Sequence, residues 1–202
     1  MLLVRRGLAL LIIAAWAGEY LADAVLGIWS VKYDLPLQLT DAISIVSALA
    51  LWTRRQRLVE LCYLWATTAA LQALLTPDLG YSFPSIFYFT YFTYHGGAIV
   101  AACLLVFGER RYPTRGAAAR AYVAALAWTG LAALADVITG GNYMYLREKP
   151  EHASLVSILG PWPWYVLATA LVLAPILLLA AQGFATLIRR ADVGGTPEGA
   201  AA

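Results

Sequence analysis

The chain has 202 residues, is 61% apolar, carries only 13% charged residues and has a formal net charge of +2. A soluble domain carries about 25% charge. Here the apolar residues come in blocks of roughly 20, the length that crosses about 30 Å of hydrocarbon at 1.5 Å per residue. That excludes a soluble domain and predicts an all-α, polytopic membrane helical bundle with six transmembrane helices.

The first span covers about 7–29 (GLALLIIAAWAGEYLADAVLGIW), with Glu19 near its middle and Asp23 toward its outer end. Arg5, Arg6 and Ala15-Trp16-Ala17 imitate a secretory signal with an A-x-A site, but the apolar run continues to Trp29, so an uncleaved span is expected. The second span, about 35–53, contains LPLQLTDA; Pro36 fits its first turn, and Thr40 and Asp41 follow. The third, about 58–76, holds Gln72 near its outer end and Glu60 near its inner end. The fourth, about 86–108, carries His95 near its middle, followed by Gly96 and Gly97. The fifth, about 117–139, holds Asp136, and the sixth covers about 161–188. Residues 1–190 thus form a single transmembrane domain, and 191–202 read as a disordered cytoplasmic tail.

Arginine and lysine set the orientation. With the N-terminus inside, Arg5, Arg6, Arg54, Arg55, Arg57, Arg110, Arg111, Arg115, Arg120, Arg189 and Arg190 are cytoplasmic, and only Lys32, Arg147 and Lys149 are outside. The topology is therefore N-in, C-in. On this arrangement Cys62 and Cys103 lie near the reducing side and are expected as free thiols; no metal-ligand spacing occurs. The longest outer loop, 140–160, runs into PWPWY at 161–165, where Trp162, Trp164 and Tyr165 read as an interfacial aromatic belt. Its 154–159 piece has the character of a short surface helix or lid.

A charged group inside a bilayer costs a few kcal/mol, and uncharged hydrogen-bonding groups are costly there too. Glu19, Asp23, Asp41, Gln72, His95 and Asp136 nevertheless fall in the outer half or middle of five spans. Such a set suggests a shared polar pocket opening outward; the plainer reading is hydrogen bonding between helices. A neutral imidazole suits a general base, and Gly96-Gly97 leaves room beside it. No cysteine lies at that depth, so the groups His95 could activate are hydroxyls. Thr40 and His95 sit roughly 8 Å and 14 Å below the outer boundary on the helix rise. Asp136, Asp23 or Asp41 could orient the imidazole, and Gln72 and Asn142 could donate to an oxyanion.

LPLQLTD at 35–41, LQALLTPDL at 71–79, FP at 83–84, His95, GGNYMYLREKP at 140–150 and LGPWPWY at 159–165 occur in that order. In these the chain resembles the YwaF-type family of bacterial integral membrane proteins. That family is similar to the eukaryotic transmembrane acyltransferase acting on polyunsaturated ether phospholipids, and more distantly to the androgen-induced transmembrane threonine hydrolases. The resemblance implies a bacterial inner-membrane enzyme of lipid esters with a two-residue centre. Acyltransferase-like members carry Cys after LPLxL, paired with the span-4 histidine. This chain has Thr40 there, the nucleophile type of the threonine hydrolases, and keeps His95. The expected chemistry is hydrolysis or transfer of a lipid acyl group through an acyl-threonine. Lys149, Tyr143, Trp162 and Trp164 would meet the lipid at the outer surface. The expected partners are membrane lipids, with no cofactor, no metal and no nucleic acid; the sequence leaves the oligomeric state open. A small proton-coupled transporter using the acids and His95 as a relay, and a non-catalytic lipid-binding protein, are the rival expectations.

Overall fold

In the computed structural model the described residues are 1–150 and 152–194. They form helices and loops, with five helices long and apolar enough to cross a membrane and one shorter apolar helix. The long ones are α1 (Leu2–Leu26), α3 (Gln56–Leu75), α4 (Ile86–Gly108), α5 (Ala117–Thr139) and α6 (Trp164–Asp192); the short one is α2 (Leu39–Thr53). This is the expected six-helix membrane bundle. The α-helical course of α6 continues to Gly194, and the rest of the expected tail, 195–202, lies outside the described residues.

One boundary differs in a way that matters. The second helix begins at Leu39, so Pro36 lies ahead of it rather than in its first turn. Gln38 is the N-cap in an extended conformation, and Asp41, three residues into the helix, accepts the Gln38 amide at 2.7 Å. This reciprocal cap stops the helix from growing backward through LPLQ. At 15 residues α2 is about 22 Å long, short of a bilayer's hydrocarbon thickness. It is tolerable because α1, α3 and α4 pack around it, and Ala42, Ser44, Ser47, Ala48 and Ala50 are buried on it. Small residues let neighbouring helices approach closely where dispersion, not water exclusion, holds them.

The same principle acts between α1 and α4. A Cβ built on Gly97 would lie 2.7 Å from Ile12 Cγ1, and Ile12 is fully buried. Gly97 is therefore a packing glycine. Gly96 faces open space. Three stretches are π-helical: Ala66–Ala70 in α3, Leu104–Gly108 in α4 and Thr169–Leu173 in α6. The first packs against α4, and Thr67 and Thr68 donate to carbonyls four residues back along it.

The start of α1 and the last described turns of α6 lie at the same end of the bundle. Arg5 lies 3.2 Å from Glu109, and Tyr112 donates to Asp192. That end also carries Arg54, Arg57, Arg110, Arg111 and Arg120, whose ion pairs centre on Glu109, Asp192 and Glu60.

Candidate active site at the capped end of the second helix

Thr40 is the second residue of α2 and is half-buried. Threonines in apolar helices commonly donate back to the carbonyl four residues earlier. Thr53, Thr67, Thr68, Thr90, Thr129, Thr139 and Thr186 all do so. For Thr40 that carbonyl belongs to Pro36, outside the helix. Among the described residues its Oγ1 has no hydrogen-bond partner, while its carbonyl accepts from Ser44. The amides of Leu39 and Thr40, at the open N-terminus of the helix, are likewise unpaired among the described residues.

His95 is buried in α4 between the rings of Tyr91 and Tyr94, with centroids 4.2 Å and 4.4 Å away. Its Nδ1 lies 2.8 Å from the Tyr91 carbonyl oxygen. A carbonyl can only accept, so Nδ1 carries the proton and Nε2 keeps its lone pair. The imidazole is oriented by backbone, one helical turn back, and not by a carboxylate.

The acids have other partners. Asp41 Oδ1 accepts Trp16 Nε1 at 2.9 Å and the Tyr20 hydroxyl at 2.7 Å, while Oδ2 takes the Gln38 amide. Asp41 thus ties α1 to the start of α2. Glu19 accepts the Thr90 hydroxyl at 3.2 Å, a second polar link between α1 and α4. Asp136 accepts the Tyr143 amide at 2.6 Å. Asp23 is half-buried, and its carbonyl closes the turn after α1 by accepting the amides of Ile28 and Trp29. Gln72 donates to the Thr76 hydroxyl at the end of α3. Asn142 is occupied within its loop: Oδ1 accepts the amides of Arg147 and Glu148, and Nδ2 donates to the Glu148 carbonyl.

The loop after α5 lies over the start of α2. Tyr143 is fully buried; its hydroxyl donates to the Val31 carbonyl at 2.7 Å and accepts the Leu35 amide at 3.0 Å. The Met144 amide donates to Gln38 Oε1 at 2.8 Å. Trp128 of α5 donates to the Leu37 and Gln38 carbonyls. Together these fix the extended segment that delivers Thr40. Met144 and Tyr145 both have φ near 55°, a left-handed conformation costly for non-glycine residues. Tyr145 is held by its hydroxyl bond to Asp78 and its carbonyl bond from Tyr165.

Asp78 also accepts from His152, at 2.7 Å to the ring and 3.2 Å to the amide. Burial pushes the Asp78 carboxyl up, but the bonds from His152 and Tyr145 outweigh it and hold the group below the usual carboxylate range. Lys149 donates to the Ser157 carbonyl and lies 5.5 Å over the Tyr165 ring. Trp162 and Trp164 are exposed at the rim, and Trp162 donates to the Leu146 carbonyl. Tyr165, expected in the same belt, is instead buried beneath the loop. The 155–158 piece is a single 3₁₀ turn.

The fold and this interior define a multi-pass helical membrane protein whose polar groups cluster at the joint of α1, α2 and α4. The chain matches the TMEM164 family over residues 1–181 and belongs to that family. No curated protein and no solved structure matches it.

Proposed function

We propose that the chain is a membrane-embedded lipid acyl hydrolase or acyltransferase of the bacterial inner membrane, with Thr40 as nucleophile and His95 as base. The observation that carries this reading is the tautomer of His95: a buried imidazole whose Nδ1–H is spent on the Tyr91 carbonyl keeps a basic Nε2. The uncommitted Thr40 hydroxyl supports it, as does the resemblance in the LPLQLTD and span-4 histidine motifs.

In the proposed reaction Nε2 takes the Thr40 hydroxyl proton as Oγ1 attacks a lipid ester carbonyl. The unpaired amides of Leu39 and Thr40 supply the donors for the oxyanion, aided by the positive end of the helix dipole. The tetrahedral adduct breaks its bond to the leaving alcohol, which receives the proton from His95. The resulting acyl-threonine is attacked by water or by a lysolipid hydroxyl, deprotonated in turn by Nε2; Thr40 recovers its proton. Asp41, Tyr143 and Gln38 position the helix start, while Lys149, Trp162 and Trp164 meet the lipid at the rim. A proton relay through Asp41 or Asp136 would have to break the bonds that anchor α2 and the outer loop.

The test is acyl trapping. Purified protein is incubated with phosphatidylcholine bearing isotopically heavy acyl chains, quenched in acid and mapped by peptide mass. The heavy acyl mass on the peptide containing Thr40, lost in His95→Ala, supports the proposal. Lipid turnover with no acyl-threonine, or with label elsewhere, refutes it.

A further inference from the structure

The opposite end of the bundle holds an open cleft of about 530 Å³ lined by Arg54, Gln56, Glu109, Arg110, Arg111, Tyr112, Thr114 and Arg189. We infer that this cleft binds a phosphate-bearing anion. The argument starts from charge. Glu109 faces Arg5 at 3.2 Å, Arg54 at 2.8 Å and Arg111 at 3.7 Å, and is itself almost fully buried. Asp192 faces Arg110 at 3.7 Å and also takes the Tyr112 hydroxyl. With Arg189, five guanidiniums gather around two carboxylates, so three positive charges stand uncompensated among the described residues.

Burial sharpens this. Arg5 is 8% exposed; its Nε is spent on the ion pair with Glu109, as is that of Arg111, and its Nη1 makes no hydrogen bond among the described residues. Like charges gathered at one wall repel, and the arginines at the open side of the cleft keep donors free for a ligand, Arg54 being 42% and Arg110 70% exposed at the side chain. One multidentate oxyanion in the cleft offsets the excess positive charge, and the guanidinium fork matches phosphate oxygens.

The backbone shows how two of these arginines reach the cleft. Arg54 and Arg110 have φ of 56° and 55°, where glycine or asparagine is the low-cost choice. Both line the cleft. Both turns end helices, α2 at Arg54 and α4 just before Arg110, and they fold the two arginines into the cleft wall. The ligand is either a lipid headgroup phosphate or a free phosphate.

The test uses the full chain in nonionic detergent, with thermal shift and native mass spectrometry. Ligands are dioleoyl phosphatidic acid, dioleoylphosphatidylcholine and inorganic phosphate, against sodium chloride at matched ionic strength. Arg110→Gln/Arg189→Gln removes two exposed cleft arginines. Arg115→Gln/Arg190→Gln removes the same charge nearby, from outside the cleft wall. Phosphatidic acid is expected to stabilise wild type and the control pair, and to bind the cleft pair roughly tenfold more weakly. A shift with inorganic phosphate as well assigns free phosphate as a ligand; a shift with phosphatidic acid alone assigns the headgroup. Arg110→Gly adds a readout of opposite sign: higher stability without anion and a smaller anion response. Equal responses from wild type, cleft pair and control pair, or no response beyond that of sodium chloride, overturn the inference.

Discussion

Replacing Asp41 by asparagine exchanges one carboxylate oxygen for an amino group and leaves the volume unchanged. In the native site Oδ1 accepts from Trp16 and Tyr20, and Oδ2 accepts from the Gln38 amide. An asparagine oxygen can replace one carboxylate oxygen but not both. With its oxygen toward Trp16 and Tyr20, its amino group meets the Gln38 N–H donor to donor. That strands one amide and removes the helix cap, a loss of about 2 kcal/mol. Asp41→Ala strands all three donors in a buried site, a loss of about 4–6 kcal/mol. For a chain of this size ~1 kcal/mol moves the melting temperature by about 2–4 °C. The expected falls are therefore roughly 4–8 °C for asparagine and at least twice that for alanine. The assay is thermal denaturation in nonionic detergent followed by tryptophan emission, to which Trp16 is one of seven contributors. A melting point for Asp41→Asn within 1 °C of wild type, or equal to that of Asp41→Ala, would refute the account of Asp41 as the joint between α1 and α2.

Gly97→Ala should destabilise by about 2 kcal/mol, because its Cβ would meet Ile12 at 2.7 Å, whereas Gly96→Ala should be neutral or slightly stabilising, judged by melting temperature. Tyr143→Phe leaves the Val31 carbonyl and Leu35 amide unpaired, so it should cost about 1–3 kcal/mol and slow acyl transfer without abolishing it. The Asp78 contribution runs with its depressed value: it is fully present above the unfolded value of about 4 and is lost as pH falls through the lower folded value. Protease cleavage of the 140–160 loop should accordingly be flat from neutral pH down to about pH 4 and rise below it, and Asp78→Asn should remove that step. Thr40→Cys should keep acyl transfer and accumulate a hydroxylamine-sensitive thioester, since a thiol can replace the hydroxyl as nucleophile.

The spans were legible because a membrane demands long apolar blocks, and the predicted 86–108 and 117–139 match α4 and α5. The start of α2 was not. LPLQ is apolar enough to continue the pattern, and what stops the helix there is a cap whose carboxylate is held from Trp16, 25 residues away. The same remoteness hides Tyr143: its partners are 108 and 112 residues distant in sequence. NYMYL read as an outer loop, with nothing to reveal it as the cover of the second helix. His95 stood out as a lone titratable group, but its orienting partner was sought among the acids. A local signal existed, since Tyr91 lies one turn back and any helical carbonyl can accept from such a ring. Trp16 and Tyr20, four apart on α1, also announced a polar face opposite Asp41. The oxyanion donors sought at Gln72 and Asn142 have loop partners, and the amides that replace them in the proposal became visible only once the helix start was fixed.

The central claim is that Thr40 is activated by His95. Its most direct test is the intact mass of purified protein after treatment with a lipophilic fluorophosphonate, on wild type, Thr40→Ala and His95→Ala. The account predicts one adduct on wild type, mapped to Thr40, and none on either variant. An unmodified wild type that is folded by its melting transition, or an adduct that survives Thr40→Ala, would contradict it.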